Sequence, residues 1–291
     1  MSFGSDLSNQ FHMLVGQHFA DEVVLFTKLQ DAFINLSSGK YHYAIDIIHG
    51  ATSMVGFQYN TSWISSLTRG STVTRELSDM MFIVFSNRKN QIRLMYMQNK
   101  KGQTLCKFKA ELLQLYLLKN RCEITSPALP SCVFGDRRIL PDALLPSVAA
   151  YGIFYKENGM VDMAYYPASN INLRTKIGKC PQRIARFNPQ KFGVIKATGF
   201  YDESQGEADL THFADALIRM EIGTPIQPGS KAYATIVGLL YEKSSSFRQT
   251  ALIQNTNLRI DNLDLQYQDL PLTYIINADI VQKVSECVNP E

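Results

Sequence analysis

The sequence predicts a mixed α/β fold, in which a mixed central sheet is flanked by helices. Three observations carry this. Two apolar runs, residues 80–85 and 92–97, flank the polar loop 86–91 as the arms of a hairpin do. Stretches with helical spacing stand before and after that pair, at 10–36 and 109–121. Helical and strand patterns then follow one another without the strict alternation of a βαβ protein.

Taken in chain order, Phe11, Leu14, Val15, Phe19, Val23, Leu25, Phe26, Leu29, Phe33 and Ile34 recur near helical spacing. They predict a long amphipathic helix, capped by Ser8 or Asn9 and broken near Gly16. Residues 41–49 read as a second helix. The polar, Ser/Thr/Gly-rich stretch 52–74 reads as an irregular connection whose Trp63 packs down onto the core. After the hairpin, 102–104 read as a turn. Leu112, Leu113, Leu115, Tyr116, Leu117 and Leu118 then cover most of a helical surface over 109–121, the pattern of a buried helix. Pro127, Pro130, Pro141 and Pro146 punctuate loops ahead of a strand at 149–156, which forms a second hairpin with 161–166. A short strand at 192–197 precedes an acidic loop bearing Asp202, Glu203, Glu207 and Asp209, placed to complement the dipole of the next helix. That helix, 210–220, is stopped by Gly223 and Pro225, and 232–241 and 272–276 read as late strands. The expected organisation is a core at 1–125 and, packed on it, a sheet extension or recognition region at 126–291.

Composition narrows the function classes. With 45% hydrophobic and 19% charged residues the chain is ordinarily globular, and its net charge of +3 is mild. The densest basic excess is local: Arg69, Arg75, Arg88, Lys89, Arg93, Lys100 and Lys101, which permits a nucleic-acid partner. Five cysteines without a C-x-x-C pair read as reduced structural thiols. The five histidines include no H-E-x-x-H, and neither a glycine-rich phosphate loop nor a G-x-S-x-G elbow is present. With no signal segment and no run of about 18 apolar residues, the expectation is a cytoplasmic protein without a membrane partner.

The feature that points to chemistry is the hairpin itself. Pairing Phe85 with Ile92 sets Asp79 opposite Gln98, and opposed residues have Cβ atoms roughly 4.5–5.5 Å apart on one face. Lys100, two residues on, shares that face. A carboxylate, an amide oxygen and an ammonium would thus converge at a sheet end, where a divalent cation and a phosphate could be cradled. Gln114, set among leucines, needs a partner, because an unpaired buried amide costs about 1–3 kcal/mol. Either the site or a neighbouring backbone group could supply it.

Asp79 with Gln98-x-Lys100 resembles the core of the PD-(D/E)XK nuclease superfamily, in the variant where Gln replaces the second acid. Arg75–Asp79 as R-E-L-S-D, Gln98–Lys100, and Q-L-Y-L at Gln114–Leu117 also look like segments of uncharacterised bacterial proteins, over about residues 70 to 120. The resemblance implies a restriction-endonuclease-like sheet and hydrolysis of DNA phosphodiesters with Mg²⁺ or Mn²⁺. Asp79, Gln98 and the carbonyl of Asn99 would be the metal ligands, and Lys100 would orient or activate the attacking water. Glu22, as a helix acid, or Glu76 would complete the site. Gln114, Lys101 and Arg75 are the expected substrate contacts. Restriction enzymes of the methylated-DNA type use this variant, so the implied role is defence against foreign DNA, with a second copy of the chain or a protein of the same defence system as partner. Two rivals stand beside it: a non-catalytic binding subunit that kept the fold, and an enzyme of unrelated fold.

Overall fold

A computed structural model describes residues 1–50, 53–59, 72–104, 107–126, 129–143, 148–170, 182–186, 209–249 and 269–287, and it is mixed α/β. The long N-terminal helix is two helices, α1 (Phe3–Val15) and α2 (Glu22–Ser38). Gly16, at φ 58, ends the first, so the break falls where the sequence put it. The cap does not. Phe3 and Leu7 extend the buried stripe of Phe11 about two turns further back, so Ser2 caps α1, accepting the Ser5 N–H at 3.2 Å, and Ser8 is buried inside the helix.

Residues 41–49 are not a helix; they contain a strand, β1 (Ile45–Ile48), whose partner lies more than 200 residues away. The connection 52–74 is likewise partly regular, because β2 (Met54–Gln58) and β3 (Thr72–Glu76) form a small antiparallel sheet of their own. Trp63 lies outside the described residues. The first hairpin has the expected register: β4 (Met80–Ser86) and β5 (Gln91–Thr104) pair Phe85 with Ile92 and Met80 with Met97. β5 runs straight through the expected turn at 102–104 to meet β6 (Lys107–Glu111), and α3 (Leu112–Asn120) therefore starts later than the leucine pattern alone predicts. Residues 113–118 are all buried, as a helix apolar on every side requires.

The second hairpin is β7 (Ala149–Glu157) and β8 (Met160–Pro167), turned by Asn158 and Gly159 at positive φ. β9 (Gln182–Arg186) pairs with β6. The expected strand at 192–197 and the acids at 202, 203 and 207 lie outside the described residues. Asp209 caps α4 (Leu210–Ile218), accepting the His212 N–H at 2.8 Å. After the two-residue β10 (Thr224–Pro225), the expected strand at 232–241 is instead helix α5 (Lys231–Lys243). Its aromatic and β-branched composition favours strand, yet the buried positions Ala232, Tyr233, Ile236, Val237, Leu239 and Leu240 keep helical spacing and Ser230 caps the start. The short α6 (Ser245–Arg248) follows, then β11 (Leu272–Asn277) and α7 (Ala278–Glu286).

Among the described residues nine strands form the main sheet, in the order β1-β11-β4-β5-β6-β9, with β7 and β10 also on β5 and β8 outside β7. β11 lies between β1 and β4, parallel to β4, and β7 runs parallel to β5, so one sheet joins both expected regions. Helices α1, α2 and α4 cover one face, where Phe33 meets Phe82 and Tyr274, Phe11 stacks on Phe154 and Tyr165 on Phe213. The other face takes α3, α6 through Phe247 on Phe85, and the turn at Cys132, whose carbonyl accepts the Tyr96 hydroxyl at 2.5 Å. Among the described residues no helix is long and apolar enough to cross a membrane.

Candidate active site

β4 begins at Met80, but β5 continues past Met97, so Gln98 to Lys101 run on where their β4 neighbour has ended. Two carboxylates take the place of the missing strand. The N–H of Asn99 donates to Asp79 Oδ2 at 2.6 Å, and the N–H of Lys101 donates to Glu22 Oε2 at 2.9 Å. The remaining oxygens accept from side chains: Gln98 Nε2 donates to Asp79 Oδ1 at 2.7 Å, and Lys100 Nζ to Glu22 Oε1 at 3.2 Å. Asp79, Gln98, Lys100 and Glu22 thus meet in one notch. Cross-strand geometry explains the first three. Glu22 arrives because α2 begins beside the same sheet end, where its first turn suits an acid.

Gln114 reaches the site from α3. Its Nε2 donates to Gln98 Oε1 at 2.6 Å and to the main-chain carbonyl of Glu76 at 3.2 Å, so both partners open to it in the sequence are used at once. The Glu76 carboxyl is half-buried and raised above its ordinary range, first by burial and then by the charge of Asp79, with Lys100 opposing. Asp79 is raised too: burial dominates and Glu22 adds to it, while Lys100, the Asn99 N–H and the Gln98 amide pull the other way. Three carboxylates therefore share the field of one ammonium.

That imbalance is the test of fit for a divalent cation. Buried carboxylates held above their ordinary range are relieved by a hard cation, which favours oxygen ligands. Among the described residues no group of three or more His, Cys, Asp and Glu side chains stands where it could hold a metal ion. The fit is thus one of charge: Asp79, the Asn99 carbonyl and retained waters would hold Mg²⁺, which usually keeps several. Gln98, as oriented, offers Asp79 its NH₂ group.

The remaining expected residues lie outside the notch. Lys101 points to the other face, its ammonium 3.2 Å from the Phe19 carbonyl and 4.4 Å from the centre of the Phe19 ring. Arg75 is engaged by Glu111 and by the Thr74 carbonyl at 2.7 Å. Neither is placed as a substrate contact of this pocket, since strand alternation turns Lys101 away and β3 belongs to the separate small sheet. The Asn99 side chain also points away, fully buried without a partner for either amide atom among the described residues.

One residue of the notch went unread in the sequence. Tyr151 on β7 lies opposite Gln98, is fully buried, and has no hydrogen-bond partner for its hydroxyl among the described residues. Its phenol is pushed well up, chiefly by burial and then by Glu111 and Asp79. The hairpin that carries it was legible, but its parallel pairing with β5 was not.

No family model matches the chain, and no curated protein or solved structure is significantly similar to it.

Proposed function

We propose that the chain is a metal-dependent nuclease of the PD-(D/E)XK type that hydrolyses DNA phosphodiester bonds. One observation supports the reading above others: Asp79, Gln98 and Lys100 meet at a sheet end with Glu22 beside them and Glu76 within their field. Asp79 would hold Mg²⁺ or Mn²⁺ with the Asn99 carbonyl, Gln98 would fix the Asp79 carboxylate, and Lys100 would face the developing charge on the phosphate. Glu22 keeps the Lys100 ammonium at the mouth of the notch, where the lysine is 17% exposed and its partner 41%. A bound cation would supply Lewis acidity and a more acidic water. The role in defence against foreign DNA rests on the resemblance alone.

A second reading, a non-catalytic DNA- or protein-binding subunit, has its own support. All four oxygens of Asp79 and Glu22 already accept hydrogen bonds, so the network closes without a cation. Incubation with plasmid DNA and Mg²⁺ or Mn²⁺ separates the two. The nuclease reading expects metal-dependent cutting that disappears in Lys100→Ala and in Asp79→Ala. Equal cutting by all three proteins, or none by wild type, would overturn it.

A further inference from the structure

We propose that Gln98 positions Asp79 and is not itself a ligand of the cation, because a chain of hydrogen bonds starting at the Glu76 carbonyl fixes which end of its amide faces Asp79. The cation half of this inference rests on the nuclease reading; the orientation half does not.

The argument is one of donors and acceptors. A backbone carbonyl can only accept, so the Gln114 amide must turn its NH₂ group to Glu76, and it does so at 3.2 Å. The same NH₂ group lies 2.6 Å from Gln98, which must then present its oxygen. That leaves the Gln98 NH₂ group for Asp79, where an ionised carboxylate also accepts only, at 2.7 Å. Both ends of the chain are thus fixed acceptors with two amides between them. Turning Gln98 alone would set NH₂ against NH₂ at one end and oxygen against carboxylate at the other. Turning both amides would set oxygen against carbonyl at Glu76 and oxygen against carboxylate at Asp79. Only the observed polarity satisfies every group, which is how an amide orientation is assigned.

Burial makes the orientation binding. Gln98 is 2% exposed and Gln114 5%, so neither amide can turn toward water, and a mismatched pair would leave buried donors and acceptors unmet. The Gln98 oxygen therefore faces α3. The Asp79 carboxylate, held by this NH₂ group and by the Asn99 N–H, is presented in a fixed attitude.

Two measurements on the full chain test this. In metal-free protein labelled with ¹⁵N, the Gln98 side-chain NH₂ signals, assigned by their loss in Gln98→Met, should be protected from solvent exchange and should shift in Asp79→Ala. A freely exchanging Gln98 amide, or one that does not respond to Asp79→Ala, overturns the inference without reference to any metal. The second measurement is Mn²⁺ titration by calorimetry of wild type and Gln114→Leu. If Gln98 only positions Asp79, its charge-assisted bond survives and affinity stays within about 3-fold of wild type; if Gln98 is a ligand oriented by Gln114, affinity falls by about 10–100-fold, and the inference fails. Should Gln114→Leu not fold, the amide signals of the wild type still decide the orientation. Absence of Mn²⁺ binding by the wild type would sink the nuclease reading while the amide result stands.

Discussion

Gly152 offers the sharpest test of how the back of the notch is packed. It lies opposite Asn99 in the parallel pairing of β7 with β5. A Cβ added there would fall 2.5 Å from Asn99 Oδ1, 3.0 Å from the sulfur of Met163 and 3.2 Å from that of Met97. The Gly152 backbone is not at positive φ, so alanine meets a steric penalty only. Because Asn99 is fully buried, its amide has no open space into which to retreat. Overpacking of this kind costs about 1–3 kcal/mol. The lower chain entropy of unfolded alanine returns about 0.4–1 kcal/mol, so Gly152→Ala should lose about 1–2 kcal/mol in urea unfolding at unchanged m. Asn99→Ala removes the obstructing oxygen, one of the two buried amide atoms without partners among the described residues, and the relief of about 1–3 kcal/mol should roughly offset the cavity it leaves. The double variant should therefore recover much of the loss, with a favourable coupling of about 1 kcal/mol. Wild-type stability in Gly152→Ala, or strict additivity in the cycle, would refute the contact.

Other expectations follow from the same structure. Glu22→Ala should speed hydrogen exchange at the Lys101 amide, whose acceptor it removes, and should also weaken any DNA cleavage, since Lys100 loses its partner. Gly4→Ala sets a Cβ 2.1 Å from the Thr211 carbonyl where α1 crosses α4, and should lower the midpoint of thermal unfolding by several degrees, for a loss of about 1–3 kcal/mol. Asp79 has a folded pKa above its ordinary 3.8, so its burial does not penalise the fold below that value and does so increasingly as pH rises through the raised one. Thermal melts with and without Mg²⁺ should accordingly show a larger gain from the cation at pH about 7 than at pH about 4. His12 is raised chiefly by Asp162, whose carboxylate lies 3.7 Å from its Nε2, so its contribution is complete below 6.5 and fades as pH rises through the raised value. His12→Gln should flatten the pH dependence of stability in that interval.

What the sequence revealed depended on how far apart the interacting residues lie. The β4–β5 register followed from two apolar runs and a short loop, and with it the meeting of Asp79, Gln98 and Lys100. Glu22 was legible as a helix acid near the chain's start, one of two candidates with Glu76, and it bonds Lys100. β1 was missed because the residues that make it a strand, those of β11, stand far along the chain, and four residues have no decisive period of their own. By composition 232–241 suits a strand, whereas Ser230 and the 232, 233, 236, 237 spacing carry the helix α5. Tyr151 was invisible for the reason β1 was: parallel pairing of β7 with β5 is set by a connection of some forty residues, not by a local turn.

The position of β11 has a consequence for biosynthesis. Residues 272–277 occupy a slot between β1 and β4, so a ribosome must release almost the whole described chain before the sheet around Asp79 can close. Until then the flank of β4 would be an open template for strange strands, which is where a nascent chain most needs shielding. The pocket around Asp79 would thus take shape only after translation had passed the last of the described strands.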